Sequence, residues 1–122
     1  MNLRSGIDSV EISRLAEIQE PIRKRFIARV FTPKEIDQAN NRNEVLSGLF
    51  AAKEAVSKAL GTGIGTVSWQ EIEILHLPSG QPTVMLHGNA KITAMQLGLE
   101  NWSVSISHDR TKAIALAVAV GN

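Results

Sequence analysis

Two carboxylates and a lysine stand out as groups placed to do chemistry. Glu54 and Lys58 lie in "LFAAKEAVSKALGTGIG", Leu49 to Gly65, and Asp8 lies in "GIDSVEIS" near the start of the chain. Leu49, Ala52, Val56, Ala59 and Leu60 recur at three- and four-residue intervals, which predicts an amphipathic helix. Glu54 and Lys58 are four apart and share a face roughly opposite that stripe. Gly61 can end the helix, and Gly63 and Gly65 let the loop bend where a side chain would clash. By spacing alone, Glu54 and Lys58 form a weak surface ion pair. "GTGIG" by itself is a C-cap and loop, because phosphate loops with strong signatures precede a helix rather than follow one. Asp8 also has a plain alternative, since "DSVE" is a possible capping box with Glu11.

If Asp8 and Glu54 converge, the set changes meaning. Two carboxylates supply a hard oxygen site for Mg²⁺, which keeps several waters and takes its remaining ligands from substrate phosphate. Lys58 would face that phosphate as a point charge, and N–H groups of the glycine loop would bind neighbouring oxygens. Metal, lysine and loop donors together are equipment for phosphoryl transfer. Elsewhere the residues offer less. His108 follows an alternating strand at the lip of a hairpin, and His76 and His87 end neighbouring strands without ligand spacing. There is no HExxH, no His–Cys set and no nucleophile elbow.

The elements that must position these residues read as α+β, an antiparallel sheet packed on helices. Residues 3–10 predict a short strand with Gly6, Asp8, Val10 and Ile12 on one side. A helix from about Ser13 runs through Ile22, Phe26 and Val30, with Pro21 the point where it would break. Thr32 caps the next helix, with Pro33 first in it and Glu35 closing a capping box. "ANNRNE" reads as a loop, "SWQEIEILHL" and "TVMLHG" as strands around the turn "PSGQP", and Gly88 or Asn89 as a helix start. The clearest hairpin comes last. Trp102, Val104 and Ile106 alternate with serines, and Ile114, Leu116, Val118 and Val120 alternate with alanines. Both faces of that last strand are apolar, so it has no wet side.

Composition fits one domain spanning residues 1–122: the apolar fraction is 43%, the charged fraction 20% and the net charge +1. Such a balance points away from nucleic acid. Absent cysteines remove disulfides, thiolate metals and a Cys nucleophile. No signal peptide or membrane span is legible, which leaves a cytoplasmic expectation. Between Pro21 and Lys34, however, stand Arg23, Lys24, Arg25, Arg29 and Lys34 with no acidic residue, a local patch for an acidic partner.

Five ordered segments carry a resemblance. "GIDSVEISR", "RFIARVFTPKE", "FAAKEAVSKALGTGIG", "SGQP" and "SVSISH" together resemble the holo-[acyl-carrier-protein] synthases, bacterial 4′-phosphopantetheinyl transferases. The resemblance implies transfer of phosphopantetheine from coenzyme A to a serine of apo-acyl carrier protein, releasing adenosine 3′,5′-bisphosphate. It implies a homotrimer with active sites between subunits. Asp8 and Glu54 fall on the family's Mg²⁺ ligands, Lys58 on its pyrophosphate lysine, and Gly63 and Gly65 on its phosphate loop. His108 and Pro82 fall on the coenzyme pocket, Arg42 on a loop that binds coenzyme phosphates, and Arg14 and Arg25 on the carrier-binding helix. Leu49 stands where the family usually has arginine, and Asp109 where threonine or serine is common; the property they touch is coenzyme affinity. A non-catalytic carrier-binding homologue on the same fold is the competing reading.

Overall fold

The computed structural model describes all 122 residues. Its elements are β1 (Asn2–Glu11), α1 (Ser13–Ala16), α2 (Glu20–Val30), α3 (Pro33–Ala39), α4 (Asn43–Leu60), β2 (Ile72–His76), β3 (Pro82–Leu86), α5 (Gly88–Gln96), β4 (Asn101–His108) and β5 (Lys112–Gly121). The chain is α+β with two antiparallel sheets, one ordered β1-β5-β4 and the other β2-β3.

Helix α4 lies against the inner face of the three-stranded sheet. That approach is close because the sheet offers little bulk. Ala113, Ala115, Ala117 and Ala119 of β5 are fully buried there, and Ala51, Ala52, Ala55 and Ala59 face them from the helix. Gly6 on β1 is required by the same approach, since a Cβ there would run into the backbone of Ala55 and Ala59. The other face of the sheet carries Leu3, Ile7, Ile114 and Leu116, which remain exposed within the chain. The strand expected to lack a wet side therefore buries its alanines against α4 and leaves its larger aliphatics uncovered.

Several local expectations need correcting. β1 runs on through Asp8, which is paired with Ala115, so Asp8 is a strand residue and not a helix cap. The helix read from Ser13 is broken just ahead of Pro21, over residues 17–19, and α2 restarts at Glu20 with Pro21 in its first turn. The "ANNRNE" loop is shorter than read, because α4 begins at Asn43. "SWQ" does not extend β2 but forms a 3-10 turn at Trp69–Glu71, closed by a Ser68–Glu71 capping box. The Thr32–Glu35 capping box is present as expected.

Glu35 also does something its cap does not announce. It is fully buried and lies 2.8 Å from the equally buried ammonium of Lys53. Lys53 Nζ donates further to the carbonyls of Trp69 (3.0 Å) and Ile72 (2.5 Å), while Glu35 accepts the amide of Ile74 at 2.7 Å. Burial pushes the Lys53 pKa down, and the Glu35 carboxylate resists that shift. One ion pair thus joins α4 to α3, to the 3-10 turn and to the second sheet.

Candidate active site

Asp8, Glu54 and Lys58 meet where β1 crosses α4. The spacing that made Glu54 and Lys58 a surface pair is satisfied differently: Lys58 Nζ turns to Asp8 Oδ1 at 3.1 Å and to the carbonyl of Ile7 at 3.0 Å. The Glu54 pKa is raised, first by burial and then by the charge of Asp8, with Lys58 and Arg14 pulling the other way. The cluster is therefore two crowded carboxylates with two cations beside them.

No group of three or more His, Cys, Asp or Glu side chains is placed to hold a metal anywhere in the chain. The donor set suits a hard cation that asks little of the protein. Mg²⁺ is commonly held by one or two carboxylates plus waters and substrate phosphate, and Asp8 with Glu54 fits that pattern.

The glycine loop follows directly. Gly61 caps α4 with φ 79°, and Gly63 is left-handed at φ 63°. Cβ atoms at Gly63 and Gly65 would meet nothing within 4 Å, so the backbone there stands open to an approaching group. Its amides are less available than the glycines imply. Gly61, Thr62, Gly63 and Gly65 already donate to Lys58, Ser57 and Val67 carbonyls, leaving Ile64 as the amide without a backbone acceptor.

Other expected residues stand apart from this cluster. Arg42 is the N-cap of α4, about 18 Å along the helix from Glu54 by its rise per residue. Pro82 pairs with His76 at one end of the second sheet, and a cleft lined by His76, Pro78 and Gly80 also takes in Arg42. His108 lies exposed where β4 meets the hairpin tip. Asp109 is occupied within that tip: Oδ1 accepts the amides of Thr111 and Lys112, both at 2.8 Å, and these bonds hold its pKa down. Leu49 is a core residue, 1% exposed.

Arg14 and Arg25 are exposed, with Lys24 and Arg29 beside them. Arg23 must be withdrawn from that patch. Its guanidinium is buried and bonds the side chains of Asn41 (2.8 Å) and Asn43 (2.6 Å), tying α2 to the start of α4. Sequence reasoning missed one further feature. A cavity of about 280 Å³ opens between β1, α1, α2 and α4, lined by Val10, Arg14, Ile18, Phe26, Ser47 and Phe50 among others. Its trace in the sequence is only that Ser47 and Glu54 are seven apart, hence on one face of α4.

A family model for the 4′-phosphopantetheinyl transferase superfamily matches residues 4–118. The chain belongs to that superfamily. Among curated holo-[acyl-carrier-protein] synthases, that of Natranaerobius thermophilus is 44% identical over 93% of both chains. The one from Dehalococcoides mccartyi is 47% identical over 96% of this chain and 98% of its own. The crystal structure of the Helicobacter pylori synthase in complex with coenzyme A superposes with a TM-score of 0.86 at 35% identity, covering 95% of this chain and 99% of that one. A Bacillus anthracis synthase in complex with CoA (3′,5′-ADP) gives 0.79 at 31% identity, covering 98% and 96%. The phosphopantetheinyl transferase fold, and membership of the holo-[acyl-carrier-protein] synthases, are thus established for this α+β chain.

Proposed function

We propose that residues 1–122 form one Mg²⁺-dependent transferase domain that moves 4′-phosphopantetheine from coenzyme A to a serine of an apo-acyl carrier protein. The observation that carries this is the convergence of Asp8, Glu54 and Lys58, with Lys58 three residues before the Gly61 cap. In the reaction the serine oxygen bonds to the β-phosphorus of coenzyme A as the bond to the departing adenosine 3′,5′-bisphosphate breaks. The serine proton passes to Glu54 or to water, and charge spreads over the phosphoryl oxygens. Asp8 and Glu54 would hold Mg²⁺, which when bound supplies positive charge to those oxygens. Lys58 neutralises the diphosphate once it swings from Asp8, and the Ile64 amide adds a donor. Without side chains, Gly63 and Gly65 let the diphosphate lie against backbone.

The remaining coenzyme residues support a site shared between copies. Arg42 lies at the opposite end of α4 from Lys58, and a second copy would bring its own Arg42, Pro82 and His108. A homotrimer closing through the exposed aliphatic sheet face is the arrangement we favour. Arg14 and Arg25 would steer and orient the acidic carrier. No helix is long and apolar enough to cross a membrane, in keeping with a cytoplasmic enzyme acting on a freely diffusing partner.

Mass spectrometry of an apo-carrier protein incubated with coenzyme A, Mg²⁺ and this protein tests the reading. One added phosphopantetheine per carrier, abolished by a chelator, is the expected result. Carrier binding without any mass gain would establish the non-catalytic alternative.

A further inference from the structure

Arg4 has no part in the transfer chemistry, yet it is fastened to the helix that carries that chemistry. It stands on β1 opposite Ala119, half-buried, and its Nε donates to the carbonyl of Ala59 at 2.9 Å, fifty-five residues away. The last carbonyls of a helix have no amide of their own helix to accept. At the end of α4 the loop returns amides to Ser57 (from Thr62 and Gly63, both at 3.2 Å) and to Lys58 (from Gly61 at 3.0 Å), and none to Ala59. Arg4 satisfies that carbonyl from outside the helix. A Cβ at Gly61 would fall 2.5 Å from Arg4 Nη2, so the guanidinium packs on the cap itself. A cation is also favoured beside the negative end of a helix.

Arg4 and Asp8 share one face of β1, four residues or about 13 Å apart. Strand β1 therefore grips the end of α4 at two places: through Lys58, bonded to Ile7 and Asp8, and through Ala59, bonded to Arg4. The first grip is broken whenever Lys58 leaves Asp8 for the diphosphate. The second involves no group that the chemistry moves. We propose that Arg4 is a positioning residue: its bond to Ala59 holds the end of α4 and the glycine loop in register on β1 while Lys58 is released to the phosphate. The inference rests on the transferase reading and adds to it a residue that touches neither substrate. What matters is the Nε–H donor, since that is the atom on the carbonyl. A direct action of the charge on a phosphate would instead use the outer nitrogens of the guanidinium.

The test compares transfer kinetics, read as carrier mass gain, and amide hydrogen exchange in wild type, Arg4→Met, Arg4→Gln and Arg4→Lys. Glutamine carries an amide nitrogen as many bonds from Cα as the Nε of arginine, so it keeps the donor and drops the charge. Methionine drops both. Lysine keeps the charge but has a methylene at that place, and it carries the comparison if Arg4→Met does not fold. Misplacement of reacting groups costs up to about a hundredfold in rate, so kcat should fall about tenfold to a hundredfold in Arg4→Met and Arg4→Lys. Arg4→Gln should recover most of that loss, and the KM for carrier should stay unchanged throughout. Exchange should quicken at residues 61–65 in the impaired variants and not along the β1–β5 ladder. A lowered melting temperature with kcat intact would overturn the proposal and leave Arg4 a structural cap only. Equal losses in Arg4→Gln and Arg4→Met would also overturn it and assign the arginine charge to a phosphate. Absence of transfer in wild type would sink the transferase reading instead, and loop exchange would then decide whether Arg4 holds the loop.

Discussion

Glu54 shows most directly how a side chain's surroundings make it useful. Its pKa is raised because it is partly buried beside Asp8. Between the ordinary glutamate value and the raised one, the folded chain keeps a proton that the unfolded chain has lost. Stability of the metal-free protein therefore falls as pH rises through that window. Glu54→Gln removes the liability, so thermal melts with chelator present should show the variant more stable than wild type at neutral pH and equal to it well below the window. Transfer behaves oppositely. Asp8→Ala and Glu54→Ala should each abolish it while circular dichroism stays native, and near-normal activity with unchanged Mg²⁺ dependence would refute the ligand assignment. Charge reversal at Arg14 or Arg25 should raise the KM for carrier far more than that for coenzyme A, with the effect shrinking at high salt. The sequence made Glu54 and Lys58 legible because helical spacing is local. It could not show Lys58 turning to Asp8, because that contact joins residues fifty apart.

At the scale of elements, α4 is held on two sides by different physics. Against the sheet it is held by smallness, and Gly6→Ala should lower the melting temperature sharply because the collision is with helix backbone, which cannot rotate aside. On its other side it is held by charge. Lys53→Met leaves Glu35 buried without its cation, a loss of about 3–5 kcal/mol for breaking one partner of such a pair. Replacing both partners with apolar residues of similar volume should recover much of it in denaturant melts; no recovery would mean that Lys53 acts mainly through its carbonyl bonds to Trp69 and Ile72. Helix starts such as Thr32–Glu35 were legible because caps are written in neighbouring residues. Arg23 was not: it reads as one more charge of a basic run, and only the tertiary fold brings Asn41 and Asn43 to its guanidinium. Asp109 likewise reads as a stray negative charge, yet its carboxylate is spent on the hairpin tip.

For the whole molecule, the open question is what covers the outer face of the three-stranded sheet. The alternation of β5 showed in advance that the strand has two apolar faces. It did not show which one α4 takes, and the answer follows from size: alanines admit the helix closely, so the larger residues turn outward. Leu3, Ile7, Ile114 and Leu116 then form an exposed apolar surface, flanked along β4 by Ser103, Ser105 and Ser107. Such a surface on a chain this small is better explained by a second copy than by solvent. Val118 lies on this face between Ser5 and Ser103, two small neighbours. A glutamate there meets no obstacle within its own chain and reaches solvent, whereas in an assembly closed around an axis it would carry like charges into one buried place. Val118→Glu should therefore leave a folded single chain while wild type scatters light as three. Because Lys58 and Arg42 would no longer be supplied to one coenzyme by neighbouring copies, transfer should be lost with the assembly. A fully active monomer, in wild type or variant, would refute both the trimer and the shared site.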